Sequence, residues 1–365
     1  MNTESVPGER TGEISGRTDP ARVAVGNQEN RRGRVGRSTQ GDEMTWNVHR
    51  PPRADGKRVL VTGGNAGIGY FVAEQLAGAG VEVVLGCRDT ARAEAAAGSI
   101  RARVPDARVA HVRLDLADPA SLESSVDSLG PGRLDAVVQN AGVLVDGPRR
   151  ETAAGHEMMF GTNHLGHFAL TRLLAPLLSA TPGSRVVVVG SITADSVRLD
   201  LDDLDDGRDF RAKRAYARSK LAQMTFGFEL DRRLRTAGST VSAVVAHPGG
   251  ALDGLTPARP PVHAPGLGAR ARSLPARVLL QGKDSAAWPA VRAALDPEVT
   301  GGQLWGPRVF GLRGLPVVHR VRAHLVDPMI GERLWAASAD LVGGEPVFAP
   351  GRQGLDERQE VRDVG

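Results

Sequence analysis

Tyr216 and Lys220 stand four residues apart in the run Ala215-Tyr216-Ala217-Arg218-Ser219-Lys220. Apolar residues recur at helical spacing through the same stretch, at Leu221, Met224, Phe228 and Leu234. The two side chains are therefore expected side by side on one helix face, one turn apart. A free phenol has a pKa of about 10 and exchanges protons poorly near neutrality. A neighbouring ammonium favours the phenolate and lowers that value, so the pair could pass a proton to or from a substrate oxygen. Residue usage sharpens the signal. The chain has two tyrosines, Tyr70 and Tyr216, and only four lysines among its 46 basic residues. Arginine is its default cation, so a lysine suggests a task that a guanidinium does badly. The plain alternative is a surface helix carrying a solvated lysine.

A second chemical signature precedes this one. Arg58-Val59-Leu60-Val61-Thr62 reads as a buried strand, followed by Gly63-Gly64-Asn65-Ala66-Gly67-Ile68-Gly69 and a helix over about 70–79. Strand, glycine turn and helix together make a seat for a pyrophosphate. Gly63 permits the tight turn, Gly67 lets backbone approach the phosphates, and Gly69 allows close helix–strand packing. A second strand, Val81–Gly86, completes a βαβ unit, the context that gives the glycine pattern its meaning. That strand runs into Cys87-Arg88. An NAD site would place an acid there for the ribose hydroxyls, whereas a guanidinium suits a 2′-phosphate. The expected cofactor is NADP, with NAD less favoured, and Asp89 is placed to cap the next helix.

The elements that must position these groups alternate regularly. A helix is expected over 89–103, a strand over 108–114 and a helix over 119–129. Asp115-Leu116 closes the strand, where Asp115 can meet an adenine amino group or serve as a helix cap. Strand Leu134–Gln139 leads into Asn140-Ala141-Gly142, a small-residue turn against which a ribose can lie. A helical pattern from about 155 to 174 contains Asn163, with His164 and His167 read as packing or surface residues. No metal site is expected, because no Cys or carboxylate accompanies them at ligand spacing. Strand Arg185–Val189 is an unbroken apolar run after its first residue, as in a sheet buried on both faces, and Ser191 follows its carboxyl end, where ligands bind. An acidic stretch, Asp200–Asp209, reads as a solvated loop. Strand Val241–Val245 precedes His247-Pro248-Gly249-Gly250. The Pro/Gly/Ala-rich segment 251–275 is expected to be a mobile flap over the site, offering Leu252, Leu255, Val262 and Leu267 to an apolar substrate. A helix over 284–295, a short strand over 303–305 and a helix over 328–341 end the pattern. The fold class is α/β, a single Rossmann-type doubly wound parallel sheet with helices on both faces.

The totals agree. Of 365 residues, 41% are hydrophobic and 24% charged, ordinary values for a soluble globular protein. A single cysteine, Cys87, excludes an internal disulfide and fits a reducing compartment. No apolar run reaches bilayer-crossing length and the N-terminus has no signal-peptide core, so a cytoplasmic protein without a membrane partner is expected. Residues 1–43 read as a disordered arm, with Met44 a candidate start of translation. Residues 44–345 would form the catalytic domain and 346–365 a disordered tail. Arg31, Arg32, Arg34 and Arg37 lack interleaved aromatics, so no nucleic-acid partner is expected.

With these motifs in order, the chain resembles the short-chain dehydrogenase/reductase family over roughly 57–341. Within it, the chain looks most like the retinol-dehydrogenase and protochlorophyllide-reductase-like branch, through Cys87-Arg88-Asp89, the run Asn163 to Phe168 and the long gap between Ser191 and Tyr216. The resemblance implies hydride transfer between nicotinamide and a carbonyl or alcohol, and a possible homo-oligomer. It implies Tyr216 as acid/base and Lys220 as the group that lowers its pKa and holds the nicotinamide ribose. Ser191 would bind the substrate oxygen and Asn163 a water relaying protons to Lys220. Cofactor contacts would come from Gly63, Asn65, Gly67, Ile68, Gly69, Arg88, Asp115, Leu116, Asn140, Ala141, Gly142, Pro248 and Gly249, with Tyr216 and Lys220. Three positions depart from the family pattern: Gln139 for Asn, Gly190 for Ser, and Asp253 for Ser or Thr. The alternative from another class is a protein that binds the dinucleotide on the same fold without turnover.

Overall fold

The computed structural model describes residues 46–351, apart from residue 206. The arm expected over 1–43, the Met44 start and most of the C-terminal tail lie outside these residues.

Eight strands form one sheet: β1 (Arg58–Thr62), β2 (Glu82–Cys87), β3 (Val109–Arg113), β4 (Ala136–Gln139), β5 (Arg185–Val189), β6 (Ser242–Ala246), β7 (Leu304–Val309) and β8 (Arg313–His319). Their order is β3-β2-β1-β4-β5-β6-β7-β8, and all neighbouring pairs are parallel except β7 with β8. The chain reverses its direction of travel across the sheet between β1 and β4, and a ligand crevice opens at such a point. The central strands show why both faces are covered. Val59 and Val61 of β1 enter one core, while Leu60 between them enters the other.

Helices α1 (Gly67–Gly78) and α2 (Thr90–Arg103) contribute to the first core. The other face carries α3 (Leu122–Asp127), then α4 (Met158–Phe160), a π-helical turn (Gly161–Leu165), α5 (Gly166–Ser179) and the long α6 (Ala212–Thr236). The flap contains the short α7 (Leu267–Ser273). After it come α8 (Lys283–Ala286) and α9 (Trp288–Leu295), which return to the first face, and α10 (Pro328–Val342), which closes the second. The rings of Phe168, Phe226 and Trp335 pack with centroids 5.1–5.8 Å apart and lock α5, α6 and α10 together.

Four expectations need correction. The last sheet element is a hairpin, not one short strand: β8 pairs antiparallel with β7, placing Pro307 opposite Pro316. Prolines obscured it in the sequence, yet an edge pair tolerates them because their missing N–H groups are not needed by a further strand. The acidic stretch is docked rather than freely solvated, since Arg218 Nη2 donates to the Asp200 and Asp203 carbonyls at 3.2 and 2.6 Å. The segment 251–275 is tied down at its first half. Arg259 pairs with both carboxylate oxygens of Glu74 of α1 through Nε and Nη2, and Ser99 of α2 donates to the Pro260 carbonyl. The first residues of the expected tail, 346–351, are also fastened: Phe348 packs on the second core and Gly351 N–H donates to the Gly238 carbonyl at 2.8 Å.

Candidate active site

The crevice begins at the glycine turn. Gly67 opens α1 with φ +59, a conformation glycine adopts without cost, and nothing stands where its side chain would be. The first residues of α1, Gly67 and Ile68, border an open cavity at the helix N-terminus, a place that suits phosphate. Gly69 is fixed differently from expectation. A Cβ there would lie 2.3 Å from Asn140 Nδ2 and 2.4 Å from the Gly63 carbonyl, so the close approach is to the turns that follow β4 and β1.

A cavity of about 710 Å³ follows from this turn. Its walls include Gly63, Asn65, Gly67, Ile68, Arg88, Asp115, Leu116, Asn140, Ala141 and Gly142, ten of the expected cofactor residues. They come from the carboxyl ends of β1, β2, β3 and β4. Asp89 does cap α2, accepting from Arg92 N–H at 3.0 Å. The Asp115 carboxylate accepts from Ala117 N–H at 3.0 Å and shapes its own turn, while Asp118 makes no side-chain cap. Cys87, also in the wall, is kept as a thiol, because burial raises its pKa to about 11.

Four wall residues escaped the sequence reading: Arg92, Val143, Thr162 and Lys283. Arg92 lies one turn into α2, four after Arg88, a spacing that was legible once Arg88 was singled out. Lys283 carried the same rarity signal as Lys220. Its amine pairs with Asp253, so the acid that replaces the usual Ser or Thr is neutralised by a cation at the cofactor crevice.

The crevice is coupled to the proton-handling groups through Gly142. A Cβ at this residue would sit 3.3 Å from both Asn163 Oδ1 and Lys220 Nζ. Asn163 is buried in the π-helical turn, and its amide is fully committed. Oδ1 accepts from Val143 N–H at 2.7 Å, and Nδ2 donates to the Val143 carbonyl at 3.1 Å and to Ser219 Oγ at 2.9 Å. The side chain thus clamps the loop that forms the crevice wall. Its backbone carbonyl accepts from His167 Nδ1 at 2.9 Å; since a carbonyl only accepts, that nitrogen carries the proton and Nε2 accepts from Thr62 Oγ1. Both histidines are buried and neutral, with burial pushing each pKa to about 3.

Lys220 is 4% exposed, and its ammonium donates to the Val189 carbonyl at 3.0 Å and to Gln223 Oε1 at 2.8 Å. Burial lowers its pKa to about 8. Gln223, three residues on along α6, is a partner that sequence reasoning missed, though the i, i+3 spacing offered it. Tyr216 is half-buried on the preceding turn, with Ser191 near enough to act on its phenol. Its pKa is raised, mainly by burial, with the Ser191 contact opposing. This reverses the direction expected from the Tyr–Lys spacing. The amine is turned inward to Val189 and Gln223, so desolvation of the phenol outweighs any charge assistance in this state.

Ser191 follows β5, with Oγ 2.9 Å from Thr193 Oγ1. The departure at Gly190 has a steric cause: a Cβ there would be 2.5 Å from Met224 of α6. The loss of that Cβ lets α6 press against the strand end and bring Tyr216 to Ser191. Gln139, the other departure, donates to Thr171 Oγ1 at 2.7 Å beneath the crevice. Pro248 and Gly249 are not in the cavity wall. They follow β6 and are bound outward, the Pro248 carbonyl to Gln281 Nε2 at 3.0 Å and Gly250 N–H to the Leu312 carbonyl. The four apolar flap residues are not gathered either: Val262 packs on the core beside α1 and Leu267 stands in solvent.

Comparison with known proteins agrees with this geometry. The model of the family described as short chain dehydrogenase matches residues 57–256. The chain belongs to that family. Its members are enzymes acting on CH–OH and C=O groups with a nicotinamide dinucleotide. Among its relatives, human retinol dehydrogenase 13 is 36% identical over 293 residues, 80% of this chain and 86% of the relative. Human polyprenol dehydrogenase is 32% identical over 80% of this chain and 87% of its own length. These relatives put the enzyme on the retinol-dehydrogenase-like branch. A crystal structure of an uncharacterized protein from Mycobacterium paratuberculosis, 33% identical, superposes with a TM-score of 0.67 over 83% of this enzyme and 99% of that chain. Among the described residues no group of side chains could hold a metal ion, and no helix is long and apolar enough to cross a membrane.

Proposed function

We propose that the enzyme is an NADP-dependent oxidoreductase of apolar alcohols or carbonyls, with Tyr216 exchanging the substrate proton. The observation that carries this reading is that α6 sets the Tyr216 phenol within reach of Ser191 after β5 and buries Lys220 one helical turn away. Retinol and polyprenol, named for the two relatives, are long apolar alcohols, which supports the substrate class. Arg88 and Arg92 beside the end of β2 support the 2′-phosphate.

The dinucleotide, bound along the glycine turn, supplies or takes the hydride. Ser191 donates its proton toward the carbonyl oxygen and fixes it against Tyr216. Because burial holds the phenol protonated near neutrality, Tyr216 is ready as the acid that completes reduction. In alcohol oxidation it must first lose that proton, so oxidation gains with rising pH more than reduction does. Asn163 acts as a positioning residue by holding Val143 and Ser219.

The test follows NADPH absorbance with a panel of aldehydes, ketones and quinones. Tyr216→Phe is expected to abolish turnover and leave NADPH binding nearly unchanged. Undiminished turnover in that variant refutes the role. Absence of turnover in the wild-type enzyme, with tight NADPH binding, favours a dinucleotide-binding protein instead.

A further inference from the structure

Two segments beside the Pro248-Gly249 turn have an unusual surface. Of the thirteen exposed large apolar side chains among the described residues, eight lie on 267–279 or on 309–318. Leu267, on α7, is 86% exposed, and Leu274, Val278 and Leu279 follow it. Phe310, at the tip of the β7–β8 hairpin, is 84% exposed, with Leu315 and Val318 on β8. The charges are of one sign. No Asp or Glu occurs between Asp253 and Asp284, nor between Glu298 and Asp327. Arg270, Arg272, Arg277, Arg308 and Arg313 make no ion pair among the described residues.

The segments adjoin in space. Arg313 Nη1 donates to the Arg277 and Val278 carbonyls at 2.6 and 3.1 Å, and Gly314 N–H donates to Gln281 Oε1 at 2.9 Å. Between them lies a cavity of about 510 Å³ with Arg270, Arg277 and Arg313 in its wall and Asp284 as the one acid there.

We propose that this surface docks the enzyme on an anionic phospholipid bilayer, peripherally, with the arginines at the headgroups and the leucines and Phe310 entering the acyl boundary. Basic side chains interleaved with exposed apolar ones are what an interfacial segment presents. A second copy of the chain fits poorly, because a two-fold interface sets the patch against itself and opposes arginine to arginine. A soluble anion would satisfy the guanidiniums but leave the apolar side chains in water. Apolar groups projecting from a hairpin tip and a short helix suit a fluid layer that conforms to them. The surface hangs on the turn after β6, so docking would open the catalytic edge of the sheet toward lipid. This goes beyond the reading of the active site and stands whether or not that reading holds.

The experiment is co-sedimentation of the full chain with vesicles of phosphatidylcholine alone or phosphatidylcholine with phosphatidylserine, at low and high salt. Binding is expected only to the phosphatidylserine vesicles, weakening with salt. A triple variant, Arg270→Gln, Arg272→Gln and Arg277→Gln, should bind about a hundredfold more weakly, from the usual contribution of three basic groups at such a surface. Leu267→Ser with Phe310→Ser should also weaken binding. A variant with Arg31, Arg32, Arg34 and Arg37 all changed to Gln controls for the N-terminal arm and should bind as wild type. No binding, equal binding to neutral vesicles, or binding lost in the arm variant and kept in the triple variant would each overturn the proposal. So would a triple variant that changes only the mass of the protein in solution, which would mark a contact between copies.

Discussion

Replacing Lys220 with Met isolates the cost of burying its ammonium. Burial moves the amine from its usual 10.5 to about 8, with no carboxylate among its hydrogen-bond partners. The unfolded chain therefore binds the proton more tightly than the folded one between these values. The contribution to stability is fully present above 10.5 and is lost as pH falls through 8. At pH 7 the group lowers the unfolding free energy by about 3 kcal/mol relative to high pH, and at pH 10 by about 1 kcal/mol. Wild type should thus gain about 2–3 kcal/mol more than Lys220→Met between pH 7 and pH 10. The variant also leaves the Val189 carbonyl and Gln223 Oε1 without a donor, about 1–3 kcal/mol each, but that loss does not vary with pH. Urea unfolding of both proteins at the two pH values gives the difference directly. Parallel pH profiles would refute the claim that this amine is desolvated.

Further outcomes follow from the same geometry. Arg88→Ala and Arg92→Ala should each weaken NADPH binding about tenfold or more, as expected for a lost charged hydrogen bond, and leave NADH binding unchanged. Equal loss of both cofactors in a fluorescence titration would show that neither guanidinium reads the 2′-phosphate. Asn163→Ala removes three hydrogen bonds and strands both polar groups of Val143, so thermal unfolding should report a loss of about 2–4 kcal/mol. A loss below about 0.5 kcal/mol would mean that the clamp is not made in solution. His164 and His167 stay neutral in the fold and protonate when it opens. Their stabilising contribution is present above 6.5 and lost as pH falls toward 3, about 2 kcal/mol each between pH 7 and pH 5. Changing either to Gln should flatten the acid limb of the unfolding profile by that amount, and an unchanged limb would contradict its burial.

The sheet was legible because its information is local. Arg58–Thr62 and Arg185–Val189 are uninterrupted apolar runs closed by glycine, and both strands form with those bounds. The crevice was legible for the same reason, since a glycine turn after a strand dictates an open helix N-terminus wherever it occurs. Hairpin strand β8 was hidden, because Pro316 contradicts a strand unless the strand lies at an edge, and edge position belongs to the assembled sheet.

The residue types and the four-residue spacing of Tyr216 and Lys220 fix, with no fold in hand, that a phenol and an amine share a helix face. They could not fix the sign of the phenol's shift. That depends on how much water the packed α6 excludes and on where the amine finds its acceptors. The acceptors proved to be a strand carbonyl 31 residues back in the chain and a glutamine on the same helix. Desolvation and long-range hydrogen bonding are properties of three-dimensional neighbours, so only the tertiary structure decided them.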